Sequence, residues 1–207
     1  MGDLTTTLTK FAIVCICMSA LTSARANLLT NGSFESPGGY ATANPGATWI
    51  TGWVVINGQI DYDPGWQAAD GLASLDLNGS PGVGGVEQTF ATVPSQQYLV
   101  TFALAGNPDS QKVYTMSTQA AGQTGNFSFN STGHTSTSMG WVTDSWTFTA
   151  NASSTTLELY STTTSTPYDG PALDNVIVTA IPEPSTVALL TVGVLPFLGI
   201  RKWKFTR

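Results

Sequence analysis

The sequence predicts an all-β fold, two antiparallel sheets packed as a sandwich or jelly roll, and three observations carry that prediction. Between Asn27 and Ala180 large apolar residues recur at every second position, in runs bounded by Gly, Pro, Asn and Ser. No stretch of useful length in that region carries the 3.6-residue periodicity of a helix. The polar positions of the runs are rich in Thr, and β-branched polar residues favour strands that are wet on one side.

Taken along the chain, short strands are expected near residues 49–56, 73–77 and 86–91. Tyr98, Val100, Phe102 and Leu104 then share one strand face, with Leu99, Thr101, Ala103 and Ala105 on the other. Strands near 113–119 and 126–129 follow. Trp146 and Phe148 alternate with Thr147 and Thr149, and Leu157 and Leu159 with Glu158 and Tyr160. In the last run Leu173, Asn175 and Ile177 alternate with Asp174, Val176 and Val178. Eight to ten short strands at this spacing call for two packed sheets. The interleaved Trp, Phe, Tyr and Leu are enough to bury a core, which separates this region from a disordered Ser/Thr-rich stalk.

Two targeting segments bracket this domain of residues 27–180. Residues 1–26 read as a secretory signal peptide: Lys10 supplies positive charge, residues 11–21 an apolar core, and Ala24-Arg25-Ala26 the small residues that precede cleavage before Asn27. A permanent anchor needs about 20 apolar residues, more than this run holds. Cys15 and Cys17 both fall inside it. The processed chain then has no cysteine, which excludes a disulfide scaffold and a thiol nucleophile. In residues 181–207, Pro182-Glu183-Pro184 precedes an apolar run over 186–200 and a basic tail of Arg201, Lys202, Lys204 and Arg207. The positive-inside rule keeps that tail cytoplasmic and puts the domain outside. The run is short, and Pro196 weakens it as a helix, so a transient inner-membrane anchor is expected, with a plain C-terminal transmembrane helix as the alternative. These three parts in this order resemble the PEP-CTERM sorting signal of Gram-negative bacteria. The resemblance implies an exosortase as processing partner and a cell-surface or extracellular destination.

Charge narrows the partners further. Between Asn27 and Ala180 eleven Asp and Glu residues stand against one cation, Lys112, a formal charge of −10. Such a surface repels phosphate backbones and excludes nucleic-acid binding as a function class. It accommodates cations and neutral polar ligands, and it also suits a plain solubilising coat.

The opening Asn27-Leu-Leu-Thr-Asn-Gly-Ser-Phe-Glu35, followed by Gly52-Trp53, resembles the start of galactose-binding-like jelly rolls, including several carbohydrate-binding modules. Three further stretches agree in order: residues 66–79, Gly85-Val-Glu-Gln-Thr-Phe90, and Ala172-Leu-Asp-Asn-Val-Ile-Val178. Together they resemble the choice-of-anchor C family, within or close to domain-of-unknown-function family 642. The resemblance implies a structural Ca2+ held by Glu35 and Asp174, with loop carbonyls near Asp70-Gly71 filling a shell of six to eight oxygens. The competing expectation is that Glu35 caps a turn and Asp174 bonds loop amides.

Sugar recognition needs flat aromatic faces beside amide and carboxylate groups. Trp66 and Tyr62, in the turn-rich run Asp61-Tyr-Asp-Pro-Gly-Trp-Gln67, are the first candidates, and Trp141 after Ser138-Met139-Gly140 is the next. Trp49, Trp53 and Trp146 sit in strand-like patterns and are expected in the core. No catalytic residue is assigned. His134 is the sole histidine and lies in a Ser/Thr/Gly loop, which gives a His-based metal site or serine triad no footing. Asp61 and Asp63 share one strand side but stand closer than a glycosidase pair normally does. Five Asn-X-Ser/Thr triplets, at Asn31, Asn78, Asn126, Asn130 and Asn151, match the N-glycosylation pattern and arise readily by chance in so Ser/Thr-rich a chain. The leading expectation is an exported matrix or surface protein with a carbohydrate-binding-like module. A structural surface or biofilm protein without a sugar ligand comes second, and an extracellular glycan-active enzyme third.

Overall fold

The computed structural model describes residues 26–35 and 38–182. The expected signal peptide, and the sorting segment beyond Pro182, lie outside the described residues.

Eleven strands occupy the described chain: β1 (Ala41–Ala43), β2 (Val54–Asn57), β3 (Ile60–Asp63), β4 (Ser74–Asp76), β5 (Gly84–Ala91), β6 (Gln97–Gly106), β7 (Val113–Ala120), β8 (Gln123–Asn130), β9 (Val142–Thr149), β10 (Ser154–Ser161) and β11 (Pro171–Ala180). They form two antiparallel sheets, one of six strands ordered β1-β3-β4-β11-β6-β9 and one of five ordered β2-β5-β10-β7-β8. This is the expected sandwich, with the short edge strand β1 in addition.

The alternation read from the sequence points the core inward. Tyr98, Val100, Phe102 and Leu104 of β6 meet Leu157 and Leu159 of β10 and Tyr114 and Met116 of β7 among the buried side chains. Trp53 is almost fully enclosed; its ring lies 5.0 Å from Phe34, and its Nε1 donates to the Asn31 carbonyl at 2.8 Å. That bond removes the cost of burying a polar indole. Trp146 is only half-buried; it packs on the core edge and stacks on Phe148.

Strand β11 departs from simple alternation. The register shifts between Asp174 and Ile177, and Asn175 takes φ 48°, a left-handed conformation that Asn tolerates better than most residues. Because of this bulge Leu173 shares the core with Val176 and Val178, not with Asn175 and Ile177 as expected.

The outer face of the six-stranded sheet is covered as well. Ala103, Ala105, Ala172, Ser74 and Asp174 are all buried there. Loops supply the cover: Ala69 and Asp70 bond Asp174, Asn107 bonds Asp76, and Met139 is fully enclosed. Asn78 ties down another loop, donating Nδ2 to the carbonyls of Thr163 (3.0 Å), Thr166 (2.9 Å) and Asp169 (3.3 Å). The chain start is stitched to β11, since Asn27 accepts from Val178 N and donates to Val176 O, both at 2.9 Å.

Candidate functional site

The three aromatic residues expected to bind sugar do not form an open platform. Tyr62 is 2 % exposed on β3. Asp61 and Asp63 take the outer side of that strand, so period-2 geometry turns Tyr62 into the sandwich. Its ring meets no solvent ligand, which corrects its assignment as a binding residue. Trp49, expected in the core, instead reaches solvent, 42 % exposed and edge-on to Tyr62 at 5.6 Å. Trp66 and Trp141 do come to one end of the molecule. Gln67 joins their loops: its N–H donates to Ser136 O (2.7 Å), its Oε1 accepts from Met139 N (3.0 Å), and its carbonyl accepts from Trp141 Nε1 (2.7 Å). Both rings are half-buried against the core. They act first as covers of the six-stranded sheet.

Glu35 and Asp174 converge on one loop. Glu35 Oε1 accepts from Leu72 N (2.8 Å) and Ala73 N (3.3 Å). Asp174 Oδ2 accepts from Ala69 N (2.8 Å) and Asp70 N (2.9 Å), and its Oδ1 from Asn175 N (2.6 Å). Burial, opposed by these amides and reinforced by the Asp70 charge, pushes the Asp174 carboxyl up to about 6. The loop groups that face the carboxylates are N–H donors, whereas a calcium shell takes oxygens, so the donor set suits amide capping better than a cation. No group of three or more His, Cys, Asp or Glu side chains gathers to hold a metal ion among the described residues.

Asp61 and Asp63 lie on one strand side, as read, but both are engaged. Asp61 is buried and accepts from Thr42 Oγ1 at 2.5 Å, and Asp63 accepts from Gly65 N at 2.6 Å. Asp61 pairs across the sheet with Asp76, whose carboxyl burial holds well above the usual range. Asn78 is buried, so its triplet is closed to modification. The His134 ring packs on Phe129 at 5.3 Å.

The exposed face of the five-stranded sheet has a different character. Two depressions open on it, one of about 220 Å3 that includes Gln119, Thr156 and Glu158, and one of about 400 Å3 that includes Thr115, Asn126 and Thr162. Strand register puts Tyr160 and its partner Ser117 between them, next to the pair Glu158 and Gln119. Tyr160 faces Gly85 on its other side, and Glu158 faces Glu87. In the sequence Glu158 and Tyr160 alternate with Leu157 and Leu159, and no site is expected of them. An aromatic residue alternating with Thr and Glu on the polar face of a strand was the available signal.

The described chain is thus a two-sheet sandwich with one outer face covered by loops and one polar outer face. Residues 27–179 match the family described as "Protein of unknown function (DUF642)", and the chain belongs to that family. It is also 31 % identical over 187 residues to Halomucin of Haloquadratum walsbyi, across 86 % of this chain; it spans only 2 % of that protein's length. Among solved structures, the tandem CBM22-1–CBM22-2 domain of Paenibacillus barcinonensis Xyn10C aligns at a TM-score of 0.50, with 17 % identity, over 81 % of this chain and 49 % of that one. An arabinose-bound GH51 α-L-arabinofuranosidase aligns at 0.54, with 15 % identity, over 75 % of this chain and 26 % of that one. At such identities the likeness is one of fold.

Proposed function

We propose that the protein is exported and serves at the cell surface or in the extracellular matrix as a carbohydrate-binding-like module, without catalytic activity of its own. The observation that carries the proposal is the exposed face of the five-stranded sheet: an aromatic ring, amides, hydroxyls and carboxylates beside two depressions, on a fold shared with carbohydrate-binding modules. Those groups are the chemistry that orders a polyhydroxyl ligand. Export and sorting complete the proposal. The signal peptide at residues 1–26 and the Pro182-Glu183-Pro184 signal would deliver the domain through the inner membrane, with an exosortase as processing partner. Supporting this, Asn27, the residue that follows the expected cleavage point, is bonded to β11 at Val176 O and Val178 N. Titration of the purified chain against a broad glycan panel tests the binding function, and a folded protein silent across the panel sinks it.

Calcium at Glu35 and Asp174 is a further part of the proposal. Convergence of two carboxylates on the loop carrying Asp70 supports it, and the amide donors facing them count against it. A ligand bound only by the folded state raises the unfolding midpoint. A Ca2+-dependent rise that chelator reverses, absent in Glu35→Ala, keeps the metal; an unchanged midpoint removes it.

A structural surface protein without a sugar ligand is the second reading. It is favoured by the match to a small stretch of the much longer Halomucin, which shows a domain of this kind as one unit of a long chain. Pull-down from native matrix before and after glycan digestion separates the two.

A further inference from the structure

We propose that the exposed face of the five-stranded sheet, centred on Tyr160, is the ligand surface of this domain, and that its ligand is a neutral polysaccharide. This rests on the carbohydrate-binding proposal above and goes further by naming the face and the charge class of the glycan.

The first argument is placement. β10 contributes Glu158 and Tyr160 to this side, Thr162 just past its end bonds Thr115, and β7 contributes Gln119, Ser117 and Thr115 beside them. Glu158 and Gln119 line one depression and Thr162 and Thr115 the other, so Tyr160 stands between two openings in one line. At the strand rise, Gln119 to Thr115 spans about 13 Å, enough for more than a single sugar ring.

The second argument is the immediate neighbourhood of the ring. Tyr160 pairs with Gly85 on one side and Ser117 on the other, the two smallest kinds of neighbour a strand offers. The ring is half-buried and is not among the side chains packed on the core. Trp66 and Trp141, by contrast, are packed on the core, and the Trp141 N–H already serves the Gln67 carbonyl.

The third argument is charge. Glu158 and Glu87 face each other directly across β10 and β5, a like-charge pair that destabilises a sheet. Burial, and then Glu87, push the Glu158 carboxyl up. Lys112, the one cation between Asn27 and Ala180, directly precedes β7, seven residues from Gln119, so it stands at the opposite end of this face from Glu158 and Glu87. A uronate or sulfate polymer would be repelled here, whereas carboxylates accept hydrogen bonds well from neutral sugar hydroxyls.

Affinity electrophoresis of the full-length chain tests this, in gels containing neutral galactan, xylan or β-glucan and, in parallel, polygalacturonate, with thermal unfolding as the check on folding. The expected result is retardation by at least one neutral polymer and none by polygalacturonate. Tyr160→Ala is expected to weaken that retention at least tenfold, Asn126→Ala, at an exposed position whose Oδ1 accepts from Ser117 Oγ, severalfold, and Trp141→Phe not at all. Retention unchanged in Tyr160→Ala and Asn126→Ala overturns the assignment of the face while leaving carbohydrate binding in place. Retention by polygalacturonate equal to that by neutral polymers overturns the charge class. No retention by any polymer overturns both this inference and the function it rests on.

Discussion

Glu35 and Asp174, at opposite ends of the domain's sequence, grip adjacent amides of one loop: Glu35 takes Leu72 and Ala73, and Asp174 takes Ala69 and Asp70. The loop turns at Gly71, whose φ of +72° suits glycine and whose Cα lies so close to Glu35 Oε1 that a Cβ there would overlap it.

Removing either carboxylate strands loop amides. Asp174 is fully buried and Glu35 is not, so Asp174→Ala is expected to cost about 2–3 kcal/mol and Glu35→Ala about 1 kcal/mol. Gly71→Ala is expected to cost about 1–2 kcal/mol by forcing both the turn and the Glu35 side chain. Chemical denaturation of the three variants measures these values, and an Asp174→Ala cost below that of Glu35→Ala would refute the ordering.

Acid should stabilise this domain. Burial lifts the Asp174 carboxyl from its ordinary 3.8 to about 6 in the folded state, so between those values the folded state binds more protons than the unfolded. Its contribution is therefore fully present below about pH 4 and lost as pH rises through about 6, a change on the order of 2–3 kcal/mol. Asp76, raised well above the same value by burial, acts with the same sign. The unfolding midpoint is expected to fall from pH about 4.5 to about 7.5, and Asp174→Asn to flatten that slope. A midpoint rising over this range would contradict the assignment.

Asn78 is the most consequential single amide. Its Nδ2 serves three loop carbonyls at once and is wholly buried. Asn78→Ala removes that donor from the Thr163 and Thr166 carbonyls, while Asp169 O keeps the Thr166 hydroxyl, and is expected to cost about 2–4 kcal/mol. Amide exchange should then rise over residues 163–170 before it rises in β5 or β10. Uniform exchange across the domain would show that the loop is held by other means.

Gln67 is expected to matter for a different reason. Its side-chain Oε1 holds Met139 N, while its backbone holds Ser136 and Trp141. Gln67→Ala keeps the backbone bonds, so a loss of only about 1 kcal/mol is expected. Trp fluorescence should nonetheless shift to the red, as the two half-buried rings gain water. An unchanged emission maximum would mean that packing alone seats Trp66 and Trp141.

What the residues alone determined is the two-sheet sandwich and most of its core, because a period-2 pattern has one solution per strand and the inward set at Tyr98, Val100, Phe102 and Leu104 is apolar throughout. The expectation against nucleic acid rests on composition alone, eleven acids to one lysine between Asn27 and Ala180. Tertiary structure decided the rest. Alternation says which side chains share a face but not whether that face meets water, and loops 64–73 and 131–141 close over one outer face while leaving the other open. Tyr62 and Trp49 therefore exchanged their expected places, Trp66 and Trp141 became covers, and Tyr160 emerged on the open side. The bulge at Asn175 belongs to the same class: one left-handed residue reverses which side chains face the core, and the apolar pattern around it reads equally well both ways.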